Sequence, residues 1–226
     1  MADRDAGGIT RRQAVAASLG FAGIAAAGAA PALARPRAGG PLKGKRVLVA
    51  IGEFSEALET YYMVYRLMEE GAKPVVAAAQ AKMVQLVVHD FEARYSNYTE
   101  KLGYLIKGEA AYADVKAADY DGLLVPGGRG PEEIRQDKRV LDIVGHFLDK
   151  DLPLGAMCHG PQVLWAARPM KGRRIAACLA IKADVEWAGA TFVDAPVVVD
   201  RKLVTSRGWP DLPEFMPRFV EVLSAK

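Results

Sequence analysis

Cys158 and His159 are the adjacent pair in this sequence with the clearest potential for chemistry. A cysteine thiolate is a nucleophile, and a nearby imidazole can move the proton that such a reaction transfers. Gly160 and Pro161 come next, and they favour a sharp turn with proline in the first turn of a helix. A helix N-terminus would lower the pKa of the thiol toward the reactive thiolate. A buried, unreactive cysteine is the alternative interpretation.

The elements that would position this thiol alternate between strands and helices. The near-continuous apolar run at residues 46–51 is typical of a strand in a parallel sheet. Further strands are predicted at residues 74–79, 84–88, 121–125, 153–157, 191–193, 197–199 and 203–205, and helices at residues 56–70, 140–150, 181–188 and 213–223. This order predicts an α/β sandwich with a mostly parallel sheet. Cys158 would then lie at a strand-to-helix elbow beyond the carboxyl end of the sheet, where such sheets bind ligands.

Two further stretches have features that suit a ligand site. Gly127 and Gly128 follow the strand at residues 121–125, and glycines there let a backbone approach a ligand closely and point N–H groups at it. An ordinary turn between a strand and a helix is the alternative. Residues 89–92 and 95–100 form a polar, aromatic-rich excursion, and an insertion of this length often serves as a lid or a subunit contact.

Composition narrows the possible partners. The chain has 226 residues and a formal net charge of +3, and it has no basic stripe interleaved with aromatic residues, so we expect no nucleic-acid partner. Its two cysteines and three histidines lack the spacing of a zinc site, so we predict no metal. A disulfide between Cys158 and Cys178 would suit an oxidising compartment, but spacing alone does not give the geometry that it needs.

Residues 1–34 have the features of an export signal. Arg11 and Arg12 precede a mildly apolar, alanine-rich run, and residues 32–34 offer an A-x-A cleavage site. The paired arginines resemble a twin-arginine signal, although Ala14 stands where a large apolar residue is usual. An ordinary secretory signal or a transmembrane anchor is the alternative, and the run is short and glycine-rich for a membrane span.

The sequence therefore predicts three segments. These are an export signal at residues 1–34, a linker rich in glycine and proline at residues 35–44, and a folded domain at residues 45–226. We expect a periplasmic protein that has no stable membrane span once the signal is removed.

From residue 45 to residue 223 the sequence resembles the PfpI/ThiJ family of the class-I glutamine-amidotransferase-like superfamily. The motifs that carry the resemblance are residues 56–59 (EALE), 120–132 (YDGLLVPGGRGPE), 157–161 (MCHGP) and 197–207 (VVVDRKLVTSR). Residues 89–91 (HDF) and 98–101 (YTEK) are similar to the subgroup linked to glyoxalase III-like activity. The resemblance implies a flavodoxin-like three-layer sandwich with a nucleophile elbow, and no cofactor.

The resemblance also implies roles for individual residues. Cys158 matches the family nucleophile, and Glu59 matches the helix glutamate whose carboxyl contacts that sulfur. A desolvated carboxyl keeps its proton and can donate it to a thiolate, whereas an isolated Glu59 would be a solvated helix carboxylate. His159 matches the adjacent histidine. Glu132 matches a glutamate that, in peptidase-like members, reaches the histidine of a neighbouring subunit, which implies a homo-oligomer such as a dimer or hexamer. If Glu132 only begins a helix, a monomer would suffice.

The other matching positions are expected to bind substrate or stabilise an oxyanion. The backbone N–H groups of Gly128 and His159 match oxyanion donors. The remaining candidates at this site are Gly127, Arg129, Gly160, Glu56 and His89. The sequence departs from the family pattern at Cys178, where tyrosine is usual, and at Leu179, where proline is frequent. It departs again at residues 94–97 (RYSN), a stretch that more often carries tryptophan and aspartate. We expect Cys178 to titrate as an ordinary buried thiol.

Three functions are compatible with these features. In the first, the protein is a cysteine-dependent, cofactor-independent enzyme for small reactive carbonyls such as methylglyoxal, with a glyoxalase III-like or deglycase-like activity. In the second, the thiolate attacks an amide, as in a PfpI-type cysteine peptidase or amidase, and the substrate is a peptide. In the third, the thiol senses oxidants in a stress-protective protein without turnover.

Overall fold

The computed structural model describes residues 37–225, where the chain forms eleven strands and six helices. The strands are β1 (Arg46–Ala50), β2 (Lys73–Ala78), β3 (Met83–Asp90), β4 (Thr99–Lys107), β5 (Ala110–Ala111), β6 (Gly122–Val125), β7 (Leu154–Met157), β8 (Arg174–Ile175), β9 (Thr191–Phe192), β10 (Val197–Asp200) and β11 (Leu203–Ser206). The helices are α1 (Ala57–Glu69), α2 (Gly130–Ile134), α3 (Lys138–Asp149), α4 (Gln162–Ala167), α5 (Lys182–Trp187) and α6 (Leu212–Ser224). The predicted export signal lies outside the described residues.

Seven of these strands form the central sheet, in the order β10–β11–β7–β6–β1–β2–β5. Every neighbouring pair is parallel except β10 with β11. The carboxyl ends of β1, β6 and β7 therefore lie at one edge of the sheet, which is the edge where open α/β sheets bind ligands. The mostly parallel sheet and the α/β class are confirmed.

Helices cover both faces of the sheet because alternate side chains of each strand point to opposite faces. On one face, Leu48 and Leu123 belong to a buried cluster with Phe147 of α3. On the other face, Phe215 and Phe219 of α6 pack so close to the sheet that a side chain at Gly155 would overlap them. Helix α1 lies beside α6 and buries the side chains of Met63, Val64 and Leu67. These three layers match the predicted sandwich.

Strands β3 and β4 form an antiparallel hairpin outside the central sheet. His89 pairs with Glu100 and Asp90 with Thr99, so the two ends of the predicted excursion are strand rather than irregular chain. Residues 91–98 connect the strands. Strand β4 was not predicted from the sequence. Most of its side chains are exposed, so it lacks the alternation of apolar and polar residues that marks a strand.

The segment that precedes β1 is packed against the end of α1. Leu42 is fully buried, and its amide donates a hydrogen bond to the carbonyl of Glu70 at 3.0 Å. The amide of Arg37 likewise donates to Met68 at 2.9 Å. The described part of the predicted linker is thus attached to the domain. Within residues 37–225, none of the helices combines the length and the apolar character that crossing a bilayer requires.

Candidate active site

Cys158 occupies a strained elbow between β7 and α4. Its φ of 56° lies in the left-handed region, which non-glycine residues rarely adopt, and its amide donates to the carbonyl of Ser206 at 3.0 Å. Two residues later, Gly160 approaches the sheet so closely that a Cβ there would lie 2.3 Å from the carbonyl oxygen of Val125. Glycine is therefore required at 160 to close the turn, and the turn directs the thiol to the carboxyl edge of the sheet.

Glu59 lies in the first turn of α1 and is completely buried beside Cys158. One carboxyl oxygen accepts the amide of Gly127 at 2.5 Å, and the other has no hydrogen-bond partner among the described residues. Burial raises the pKa of Glu59 well above its ordinary value, and the nearby charges of Cys158 and Glu56 raise it further. Both effects favour the protonated, neutral carboxyl, and the side chain is buried rather than solvated.

Glu56 is the N-cap of α1, and it is also buried. Its side chain accepts the amide of Glu59 at 2.7 Å, which satisfies one of the free N–H groups of the first helical turn. Its other oxygen is 3.5 Å from the amide of His89. Burial raises the pKa of Glu56, although these backbone amides oppose the shift. The capping carboxylate thus also links α1 to the β3–β4 hairpin.

His159 and Cys178 surround the thiol of Cys158. The Nδ1 atom of His159 is 3.4 Å from the sulfur of Cys158 and 3.5 Å from the sulfur of Cys178. Burial lowers the pKa of His159, but its hydrogen bond with Cys158 and the surrounding negative charges raise it overall. The imidazole is therefore a stronger base than a free histidine.

The pKa of Cys158 differs from the sequence-based expectation. Its hydrogen bond with Cys178 raises the pKa of the Cys158 thiol, and burial raises it further; His159 opposes the shift without reversing it. Helix α4 has only six residues and begins at Gln162, so its dipole has little effect on Cys158. The prediction of a lowered pKa was wrong, because it omitted Cys178, which is half-buried and adjacent rather than isolated in the core.

The same three residues are a cluster that could bind a cation, since their donor atoms lie within 4.8 Å of one another. The sulfur of Cys178, however, is 3.5 Å from Nδ1 and 3.6 Å from Nε2 of His159. The sulfur is thus nearly equidistant from the two ring nitrogens and does not select one of them as its partner. The absence of a metal remains a prediction.

Backbone N–H groups around the thiol fall into two sets. The amides of Gly127, Gly160 and Arg129 donate to Glu59, Met157 and Phe54, respectively. The amides of Gly128 and His159 have no acceptor within residues 37–225. The predicted pair of oxyanion donors is therefore free, whereas Gly127, Gly160 and Arg129 do not offer their amides to a ligand.

Gly128 holds the loop after β6 against the start of α1. Its φ is +74°, and a Cβ at this position would lie 2.4 Å from the amide nitrogen of Glu56 and 2.5 Å from the carbonyl oxygen of Phe54. Both neighbours are backbone atoms, which cannot rotate away. Only glycine fits at 128, and this close approach brings the loop, α1 and the thiol together.

His89, Glu100 and Arg129 form a chain of polar contacts at the base of the hairpin. The Nε2 atom of buried His89 is 2.9 Å from Glu100, whose carboxylate accepts the guanidinium of Arg129 at 2.9 Å. The ring of Tyr98 stacks on His89 with 4.4 Å between centroids. Burial lowers the pKa of His89, which favours the neutral imidazole, although Glu100 opposes the shift; in the tautomer with a proton on Nε2, this atom donates to Glu100. The predicted residues His89 and Arg129 thus meet through Glu100, to which the sequence assigned no role.

These groups surround a cavity of about 630 Å³. The cavity is lined by residues near the thiol, by the connection between β3 and β4, by residues 178–180 and by Trp209. The lining residues are Glu56, Glu59, His89, Phe91, Glu92, Ala93, Tyr95, Ser96, Asn97, Tyr98, Cys158, Cys178, Leu179, Ala180 and Trp209. The indole of Trp209 donates to the carbonyl of His89 at 3.0 Å and so fastens the hairpin to this wall. Gly128 and His159 do not line the cavity directly.

Glu132 lies in the first turn of α2, and its side chain is exposed. Its negative charge is among the influences that raise the pKa of His159, which places it on the same side of the sheet. No hydrogen bond or ion pair to another described residue holds its carboxylate. Glu132 is therefore available to contact a neighbouring molecule, and it completes no triad with the residues that the structure describes.

Comparison with known proteins identifies the family and the fold. The sequence model of the DJ-1/PfpI family matches residues 45–222. The chain belongs to the DJ-1/PfpI family. This assignment confirms the family resemblance and the flavodoxin-like α/β fold, and it places the elbow, Glu59 and the Gly127–Gly128 loop inside the shared region.

Two similar relatives align with this chain over nearly their whole length. An uncharacterized protein of Archaeoglobus fulgidus is 40% identical over 178 residues, which cover 79% of this chain and 98% of that protein. A deglycase of Thermococcus kodakarensis is 34% identical over 178 residues, which cover 79% of this chain and 99% of that protein. Among solved structures, DJ-1beta of Drosophila melanogaster has a TM-score of 0.68 at 25% identity, over 80% of this chain and 91% of that one.

Two contacts of this DJ-1/PfpI site were not predicted from the sequence, namely that of Cys178 with His159 and that of Glu100 with His89 and Arg129. Cys178 is separated from Cys158 by the whole of α4 and β8, and no motif connects them. Glu100 lies in a strand whose exposed side chains conceal its pairing. Their proximity to the thiol depends on tertiary packing, which spacing along the chain does not encode.

Proposed function

We propose that this DJ-1/PfpI-family protein is a cysteine-dependent enzyme that acts on small reactive carbonyls without a cofactor, with a glyoxalase III-like or deglycase-like activity. The observation that supports this most is the position of the Cys158 thiol between His159, whose pKa is raised, and the buried carboxyl of Glu59, whose raised pKa favours its protonated form. Relatives named as deglycases agree with this class of activity.

The first step would be addition of the thiol to an aldehyde carbon. As the sulfur forms the C–S bond, the thiol proton passes to Nδ1 of His159, which lies 3.4 Å away. The carbonyl oxygen takes up a proton to give a hemithioacetal. General-base assistance of this kind suits a thiol whose pKa is raised, because the thiolate then forms only during the attack.

Later steps would need groups that exchange protons near neutral pH. Glu56 and Glu59 line the cavity, and burial raises the pKa of both carboxyls. Such carboxyls can move a proton between the two carbons of a methylglyoxal adduct, and water then releases a hydroxy acid and restores the thiol. The net reaction adds one water molecule to the substrate. Removal of a carbonyl adduct from an amine would be a variant of the same addition and hydrolysis.

A peptidase or amidase is the second candidate. The free amides of Gly128 and His159 favour it, because a tetrahedral oxyanion needs two such donors. The wall of the cavity favours the carbonyl reaction instead, since Cys158, Glu56 and Glu59 line it whereas Gly128 and His159 do not. A redox-sensing protein without turnover is the third candidate, and an assay for turnover distinguishes it from both enzymes.

Parallel assays of one preparation test the proposal. We would measure hydroxy-acid formation from methylglyoxal and hydrolysis of a peptide panel, in the wild type and in Cys158→Ser and His159→Gln. We expect turnover of methylglyoxal that is abolished by Cys158→Ser and lowered at least about 100-fold by His159→Gln. His146→Gln is the matched control, because His146 lies in α3 outside the cavity. Peptide hydrolysis without methylglyoxal turnover would select the second candidate.

Oligomerisation and export are part of the same proposal. Leu102, Tyr104 and Leu105 of β4 are more than half exposed, and an apolar strand face of this kind supports contact with a second copy of the chain. A homo-oligomer, dimer or hexamer, would let Glu132 approach the His159 of a neighbour.

Arg11 and Arg12 support export of the folded protein to the periplasm.

A further inference from the structure

Cys178 lies close to Cys158 although 19 residues separate them. Its amide donates a hydrogen bond to the carbonyl of Cys158 at 3.3 Å, so the two backbones are in direct contact. Their sulfur atoms lie within 4.8 Å of each other. A disulfide needs the sulfurs about 2 Å apart, so the two sulfurs have less than about 3 Å to close, and the backbone hydrogen bond holds the two residues side by side.

His159 is positioned to serve both thiols. Its Nδ1 atom is 3.4 Å from one sulfur and 3.5 Å from the other. Thiol oxidation and thiol exchange both proceed through the thiolate, so a base within reach of each sulfur can activate either one.

A small oxidant can reach this pair through the cavity. Both sulfur-bearing residues line it, with Cys158 almost buried and Cys178 half-buried. The 3₁₀ turn Leu179–Ile181 follows Cys178 directly, and Leu179 is 73% exposed, so Cys178 lies where the cavity opens.

We propose that Cys178 is a resolving cysteine, which converts oxidation of Cys158 by a hydroperoxide into a reversible intramolecular disulfide. The Cys158 thiolate attacks the peroxide oxygen, the O–O bond breaks, and an alcohol or water leaves as Cys158 becomes a sulfenic acid. The Cys178 thiolate then attacks that sulfur, the S–O bond breaks, and the departing hydroxide takes a proton to leave as water. Two thiols lose two electrons in total, and the peroxide gains them.

The consequence is protection of the nucleophile from irreversible oxidation. A sulfenic acid that meets no thiol reacts with a second peroxide to give a sulfinic acid, which ordinary reductants do not restore. A thiol in contact with the same histidine intercepts the sulfenic acid first. This inference goes beyond the proposed function and does not depend on the substrate, because it concerns only the two thiols and the oxidant.

Intact mass after treatment with hydrogen peroxide tests the inference. We expect the reduced wild type to lose about 2 Da, and a non-reduced digest to contain the peptides of Cys158 and Cys178 joined. Cys178→Ser should instead gain about 32 Da at Cys158. Cys158→Ser is the matched control, and we expect no disulfide in it. Dithiothreitol should return the wild type, but not oxidised Cys178→Ser, to its starting mass.

Two outcomes would overturn the inference. One is a gain of about 32 Da in the wild type with no joined peptides, which would mean that Cys178 does not intercept the sulfenic acid. The other is a disulfide that joins two chains on a non-reducing gel. The joined-peptide measurement uses only the wild type, so the test stands even if a variant folds poorly. It needs no substrate, so its failure is distinct from failure of the carbonyl assay.

Discussion

The carboxyl of Glu59 accepts the amide of Gly127 at 2.5 Å through one oxygen and leaves the other oxygen unpaired within the described residues, beside the thiol of Cys158. This relationship ties the first turn of α1 to the loop that follows β6. It also leaves one oxygen of a protonated carboxyl free to donate toward sulfur. The first prediction concerns the proton on this carboxyl.

Glu59→Gln should change how stability depends on pH. Because the pKa of Glu59 is raised in the folded state, the unfolded chain loses its proton first as the pH rises above about 4.3, and the wild type loses stability up to the folded pKa. Glutamine keeps the acceptor for Gly127 and has no proton to lose. In urea unfolding, the free energy of unfolding of Glu59→Gln relative to that of the wild type should rise by up to about 1.4 kcal/mol per pH unit across this window.

The control for this prediction is Glu214→Gln, which makes the same change at an exposed position at the start of α6. The stability of Glu59→Gln relative to this control should rise over the same pH range. A relative stability that does not change with pH would show that burial does not raise the pKa of Glu59.

The thiol of Cys158 should react slowly with alkylating agents at neutral pH. We expect its apparent pKa to lie above the value of about 8.5 for a free thiol, because the hydrogen bond with Cys178 and burial both favour the protonated form. Cys178→Ala removes the first of these influences and should lower the pKa, so alkylation of Cys158 at pH 7 should become faster. The rate of iodoacetamide modification of Cys158 as a function of pH, followed by peptide mass, gives the apparent pKa in the wild type and in Cys178→Ala. An unchanged rate profile in Cys178→Ala would refute the coupling.

Gly128→Ala should be far more damaging than the same change at a permissive glycine. A methyl group at 128 overlaps backbone atoms of Phe54 and Glu56, whereas Gly172 has a similar φ of +77° with no atom within 4 Å of its Cβ position. We expect Gly172→Ala to lower the free energy of unfolding by about 1 kcal/mol, the cost of the left-handed conformation. Gly128→Ala should lower it by about 2–3 kcal/mol more. Equal losses in urea unfolding would contradict this account.

A mixing experiment tests whether Glu132 acts on a neighbouring subunit. Cys158→Ser and Glu132→Gln proteins, each expected to be inactive, would be combined under conditions that exchange subunits. Because Glu132 is exposed and contacts no acid–base partner among residues 37–225, activity should partly return when one subunit supplies an intact Cys158 and another supplies an intact Glu132. Native mass spectrometry confirms that mixed oligomers form. Mixed oligomers without recovered activity would exclude a shared site.

Replacement of Arg11 and Arg12 by lysines tests the export proposal. Twin-arginine signals depend on the two arginines, so we expect the variant to remain in the cytoplasmic fraction while the wild type appears in the periplasm. A variant that still reaches the periplasm would point to an ordinary secretory signal instead.

The elements around the thiol were predictable because local sequence determines them. The apolar run of β1, the Gly160–Pro161 turn and the amphipathic pattern of α1 each agree with their final conformation. Strand β4 was missed because its pairing partner, not its own pattern, makes it a strand. Cys178 was misjudged for a similar reason: its effect on the pKa of Cys158 arises from a contact between distant parts of the chain.

The β3–β4 hairpin makes this architecture modular. Residues 91–98 supply much of the cavity wall, yet they belong to no strand of the central sheet, and most of them are exposed. The thiol, Glu59 and the glycine loop are all fixed by the sheet and α1. Mutations in this connection can therefore reshape substrate preference with little effect on the core, so a library confined to these eight positions is the natural starting point for redesigning what this scaffold accepts.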